Sequence, residues 1–187
     1  AGGKKVLQAM HVDVTAGLLR DEADDLNRPF FHYIKTGRPY VIGKATMSLD
    51  GKLATRTHHS QWISGPDSRA HAHAIRAVSD AIIVGAGTLK DDNPSLTVRD
   101  AEQVGDAPLR VALCFDTPVF NPDCHLLSDE APSRFYVRSL NEYAQQWQDA
   151  GIEIVKGCWN RFRTSFFPAI GHTSPITNPS FRNNQIC

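Results

Sequence analysis

The chain contains no run of about 18 apolar residues, so its sequence offers no candidate for a membrane-spanning helix. Its opening stretch, AGGKKVLQAM, has no apolar core of the signal-peptide kind, and it starts on Ala1 rather than methionine, as a processed piece would. Cysteine is scarce: Cys114, Cys124, Cys158 and Cys187 are the four among 187 residues, with no CxxC spacing, which excludes a disulfide scaffold. That usage fits a reducing, cytoplasmic location. Excess charge is absent as well. Twenty Lys and Arg balance twenty Asp and Glu, so no nucleic-acid or acidic-membrane partner is expected, although a local basic pocket for one phosphate is not excluded. Residues 157–187 have no Asp, Glu or Lys at all, though acids are common before them.

What is present is an ordinary globular composition, 41% hydrophobic and 21% charged, long enough for one domain with a sizeable core. It divides into three parts: residues 1–38, residues 39–156 and residues 157–187. In the first part, Leu18, Leu19, Ala23 and Leu26 fall at helical spacing, and Asn27-Arg28-Pro29 ends that helix. The second part opens with YVIGKATM, a strand, followed by a turn at Asp50-Gly51. Ser64 is placed to cap a helix with Pro66 in its first turn and one face made by His71, Ile75 and Val78.

Strands follow at 80–85, 109–115, 133–138 and 152–155, with a helical turn ending near Asn93-Pro94. Ser139 to Glu142 forms a capping box before a helix that buries Leu140, Tyr143, Ala144 and Trp147, and Gly151 closes it. Strands alternating with helices at this spacing argue for an α/β sandwich with a largely parallel sheet. The third part has no stable period of either kind.

Several stretches carry chemistry. KATMSLDGK, residues 44–52, ends a strand on Lys44, Thr46 and Ser48 instead of further β-branched residues. VGAGTLKDDNP runs from a strand into glycines and a helix start, where α/β proteins place ligands, although it is not GxGxxG and a tight turn reads the same way. Trp62 in SQWISGP is either a core residue or an indole that stacks on a flat heterocycle. Arg76 and Arg99 are either solvated charges or a phosphate clamp, since guanidinium forks match phosphate oxygens. His71 and His73 are two apart, about 200° on a helix, which disfavours a shared metal.

Taken in order, KATMSLDGK, SQWISG, SRAHAHAIRA and DAIIVGAGTLKDDNPSLTVR, followed by an apolar strand, resemble the reductase domain of the bifunctional riboflavin-biosynthesis deaminase/reductases. The resemblance is strong over residues 39 to about 118 and continues by pattern to residue 156. It implies a dihydrofolate-reductase-like three-layer sandwich with a mostly parallel central sheet. It also implies an oxidoreductase in which NADPH reduces the ribose of 5-amino-6-(5-phosphoribosylamino)uracil to the ribityl form, and a homodimer when complete. Carried across, Lys44 stands near the ribose being reduced, and Thr46, Trp62, Thr88, Asp92 and Thr117 line the NADPH site. Ser60, Arg76, Leu96 and Arg99 hold the substrate, the arginines on its phosphate, which argues against a folate substrate in the same fold. HVDVTAGLLRDEADDLNRPFF resembles the end of the preceding deaminase domain, whose zinc signature is absent here.

The resemblance stops near Lys156. The family continues with a glycine pair that contacts the cofactor phosphates, a glutamate on the substrate and the closing strands. Residues 157–187 contain no adjacent glycines and no glutamate. The expectation is therefore a sheet left incomplete at its C-terminal end by truncation or a frame change, weak or absent NADPH binding, and, as the alternative function, a non-catalytic remnant.

Overall fold

A computed structural model describes residues 2–57, 59–99, 101–102, 105–114, 116–157 and 185–186. Three short helices come first: α1 (Gly3–Ala9), α2 (Arg20–Leu26) and α3 (Arg28–Thr36). The first two bury nothing, and Leu18, Leu19 and Leu26 are exposed. α2 ends at Leu26 with Asn27 as its C-cap, as expected from Asn27-Arg28-Pro29, and Pro29 lies in the first turn of the next helix, α3, where its missing N–H costs nothing.

The sheet and its helices follow as β1 (Tyr40–Val41), α4 (Pro66–Ala77), β2 (Ala81–Gly85), α5 (Ala86–Asp92), β3 (Leu109–Leu113), β4 (Ser133–Val137), α6 (Glu142–Asp149), β5 (Glu153–Lys156) and β6 (Gln185–Ile186). The strand order is β1-β6-β2-β3-β4-β5, and every neighbouring pair is parallel. The parallel sheet expected from the alternating pattern is present. One expectation fails: the chain after Lys156 does contribute to the sheet, because β6 pairs with both β1 and β2. The rest of the expected tail, residues 158–184 and 187, lies outside the described residues.

Register sorts the two faces. Ile82, Ala112, Phe135 and Val137 point to one side, where Leu89 of α5 and Trp147 of α6 close the main core. Ala81, Val111 and Tyr136 point to the other, with Ile83, Leu109, Leu113 and Val155 packed against them. Trp147 is 1% exposed, its ring edge-on to Phe120 at 5.0 Å and tilted against Phe135 at 5.1 Å. Its indole N–H donates to the Pro118 carbonyl at 2.9 Å, tying α6 to the loop that leaves β3.

Local signals were moved by packing in three places. The strand expected over YVIGKATM is only two residues long, and residues 42–48 continue without regular structure. Gly65, not Ser64, caps α4; the Ser64 carbonyl instead accepts from Arg69 Nη1 at 2.8 Å, and the buried residue of the helix is Ala77. The cap of α6 is Asn141, whose Oδ1 accepts from the Ala144 N–H at 3.1 Å, so Ser139 lies outside the helix and Leu140 is exposed. Gly151, with φ 96°, reverses the chain after α6 as expected.

Candidate active site

The carboxyl ends of the parallel strands carry the first group of polar residues. Beyond β1 the chain leaves the sheet, and Lys44 Nζ donates to Thr46 Oγ1 at 2.5 Å. Ser48 then organises the Asp50-Gly51 turn: its Oγ accepts from the Lys52 N–H at 3.0 Å, and Gly51 takes φ 78°. After β2, Thr88 stands exposed in α5, and a Cβ added at Gly85 or Gly87 would meet no atom of the described residues within 4 Å. Asp92, the last residue of α5, is exposed. Thr117, four residues past β3, is buried and donates its hydroxyl to the Ser139 carbonyl at 3.2 Å.

Trp62 is 71% exposed, so the core reading of this indole does not hold. Arg69 of α4 covers one face of the ring at 4.6 Å, a cation–π arrangement. Ser60 is half-buried nearby in sequence. Arg69 was not among the expected site residues; its signal was its position on the helix directly after the tryptophan.

The second group is knit together across α4 and residues 95–99. Arg76 Nη1 donates to the Thr97 carbonyl at 3.3 Å, and His73 Nδ1 accepts from the Arg99 N–H at 3.0 Å. Leu96, just before Thr97, is 4% exposed and holds φ 52°, in the left-handed region. Both contacts from α4 thus fall on the segment that carries Leu96 and Arg99. A cavity of about 210 Å³ beside them is lined by Thr97, Val98, Arg99, Ala107, Pro108, Glu130 and Ala131.

Pro108 and Ala131 precede β3 and β4, so this cavity opens at the amino ends of those strands, away from Thr88 and Thr117. Among the described residues no hydrogen bond, ion pair or ring contact joins Lys44, Trp62, Thr88 and Arg99 to one another. Nor do three or more His, Cys, Asp or Glu gather as metal ligands among them.

One residue with no expected role organises this region. Arg110, inside β3 and fully buried, donates to the carbonyls of Ser95, His125, Leu126, Ser128 and Ala131 and to Ser128 Oγ. Burial lowers its pKa from the ordinary arginine value, and Glu130 and Cys124 oppose that shift. Its only trace in the sequence is an arginine within an otherwise apolar strand.

Comparison with known proteins gives this arrangement its context. The riboflavin biosynthesis protein RibD of Bacillus amyloliquefaciens is 45% identical over 130 residues, 69% of this chain and 34% of that protein. RibD of Aquifex aeolicus is 35% identical over 153 residues, 82% of this chain and 43% of that protein. This chain thus spans less than half the length of either relative. Among solved structures, the deaminase/5-amino-6-(5-phosphoribosylamino)uracil reductase of Thermotoga maritima superposes with TM-score 0.66 at 25% identity, over 87% of this chain and 51% of that one. Acinetobacter baumannii RibD superposes with TM-score 0.67 at 26% identity, over 88% of this chain and 47% of that one. The family model of the RibD C-terminal domain matches residues 39–162, the span that contains β1 to β5 and both polar groups, and this chain belongs to that family.

Proposed function

We propose that this chain reduces 5-amino-6-(5-phosphoribosylamino)uracil to its ribitylamino form with NADPH. The observation that carries the reading is the Lys44–Thr46 pair, a cation on a hydroxyl just beyond a parallel strand, in a chain of the RibD C-terminal family. Bound NADPH supplies the hydride. Opening of the ribose ring leaves a C=N bond whose carbon takes that hydride and whose nitrogen takes a proton. Lys44 is the group that holds or delivers that proton, because its ammonium is exposed and anchored at Thr46. Thr46 and Thr88 offer hydroxyls to the nicotinamide nucleotide, Trp62 offers its ring, and Asp92 and Thr117 border them.

The residues present fit this cofactor in part: Thr88 is exposed just after β2, and no described residue crowds Gly85 or Gly87 beside it. On the substrate, Arg76 of α4 and Arg99 of the 95–99 segment, to which Arg76 is bonded, hold the phosphate, with Leu96 and Ser60 as further substrate-holding residues. The decisive experiment mixes purified protein, NADPH and the substrate. NADPH oxidation that depends on substrate, with a product heavier by two hydrogens, is expected. Absence of such turnover overturns the reading.

A second reading is favoured by one observation. Residues 157–187 supply neither adjacent glycines nor a glutamate, the groups that the family resemblance assigns to the cofactor phosphates and the substrate. A chain without them holds NADPH poorly and is non-catalytic. A titration that saturates at micromolar NADPH eliminates this alternative.

A further inference from the structure

The histidine pair of α4 is left without a part by the reading above. The two rings behave differently. His71 is exposed, whereas His73 is half-buried and its Nδ1 accepts the Arg99 N–H at 3.0 Å, a contact between residues 26 apart. A ring nitrogen that accepts from an amide carries no proton, so the ring proton of His73 sits on Nε2.

That contact is one of three on a five-residue stretch. One turn further along α4, Arg76 Nη1 donates to the Thr97 carbonyl at 3.3 Å, and from the sheet Arg110 Nη1 donates to the Ser95 carbonyl at 3.3 Å. Between these ties Leu96 holds φ 52°. A leucine stays in that region only when its surroundings impose it. Side chains from a helix and a strand therefore impose the path of residues 95–99, and His73 supplies the last tie, on the main chain of Arg99 itself.

We propose that His73 is a positioning residue: by accepting the Arg99 N–H it holds the end of this segment against α4 and aims the Arg99 guanidinium at the phosphate of a phosphorylated sugar. This rests on the reading of Arg99 as a phosphate-holding group. Arg76, three residues after His73, reaches the same segment, so one helix face presents one guanidinium directly and orients the second through the imidazole.

The test compares His73→Ala, His73→Asn and His73→Gln in the full chain. Alanine favours the helix, so loss of folding is not the expected result. The asparagine Oδ1 occupies the place of the imidazole Nδ1, whereas glutamine carries its oxygen one bond too far. The probe is ribose 5-phosphate, which needs no turnover, with ribose as the control. His73→Ala is expected to weaken ribose 5-phosphate binding by about tenfold and to speed exchange of the Arg99 amide hydrogen by about fivefold. His73→Asn restores both, His73→Gln restores neither, and ribose binding does not change.

Equal ribose 5-phosphate binding by the wild type and His73→Ala overturns the proposal, as does an unchanged Arg99 amide. Arg99→Ala separates the two levels. If it weakens phosphate binding while His73→Ala does not, only the positioning role is lost. If Arg99→Ala has no effect, the phosphate reading fails and the proposal fails with it.

Discussion

Arg110 Nη2 donates to the Ser128 carbonyl at 2.7 Å from a side chain with no solvent exposure. The same guanidinium reaches the main chain both of the segment before β3 and of the loop before β4. One planar cation thus ties the segment before β3 to the short 3-10 turn at His125–Leu127 and the chain that follows it.

Replacing Arg110 with methionine keeps the volume but strands several buried carbonyls. The expected loss is about 3 kcal/mol or more, read as a lower urea midpoint. Arg110→Lys should recover little of it, because one ammonium cannot span the same set of acceptors. Equal stability of the methionine variant would show that the carbonyls find water instead.

Cys114 lies 5% exposed in the main core, and burial pushes its thiol up from 9.0 to about 11. A raised value means that the folded state keeps its proton while the unfolded state loses it. The contribution is full below pH 9.0 and is lost as pH climbs toward about 11. Over that window stability should fall by about 2–3 kcal/mol relative to Cys114→Ser corrected for its own packing change. In the native protein Cys114 should also react with thiol reagents at pH 8 no faster than unfolding allows, a rate that mass spectrometry of the modified chain measures.

Asn141 caps α6, the helix that carries Trp147 into the core. Asn141→Ala should cost about 1 kcal/mol, and Asn141→Asp should cost much less, because aspartate also accepts the Ala144 N–H. Thermal unfolding of the two variants is the check.

Arg134 Nε meets Glu153 Oε2 at 2.7 Å across the β4–β5 register, with the glutamate more than half exposed. The pair is weak by position: Glu153→Gln should cost no more than about 1 kcal/mol, and the difference should shrink in high salt. A larger, salt-independent loss would mean that the pair fixes the register of β5.

For catalysis, Lys44→Ala should lower kcat by at least about 100-fold while NADPH affinity changes little, as expected for a residue that moves a proton. Steady-state rates with both ligands varied give the two numbers separately. A loss confined to KM would recast Lys44 as a binding group.

Short-range patterns were legible where one residue type dictates the local answer. The apolar run at 81–84 forms β2, Gly151 takes a positive φ after α6, and the pattern Tyr143, Ala144, Trp147 turns toward the core. Boundaries that depend on competition between neighbours moved: Asn141 displaced Ser139 as cap, and Gly65 displaced Ser64. At the site, Lys44 bonds Thr46 and Arg76 of α4 bonds the segment that carries Leu96 and Arg99, while Trp62 carries Arg69 on one face.

From its residues alone the chain declares an alternating α/β order and a family motif, because periodicity, turn residues and short spacings act within a few positions. Which distant groups meet is decided by the folded sheet. His73 finds the Arg99 amide, Trp147 finds the Pro118 carbonyl and Arg110 gathers its carbonyls only once strands far apart in sequence lie side by side. No local rule reports those meetings, because a polar side chain is matched to a buried main-chain group by the packing that removes both from water.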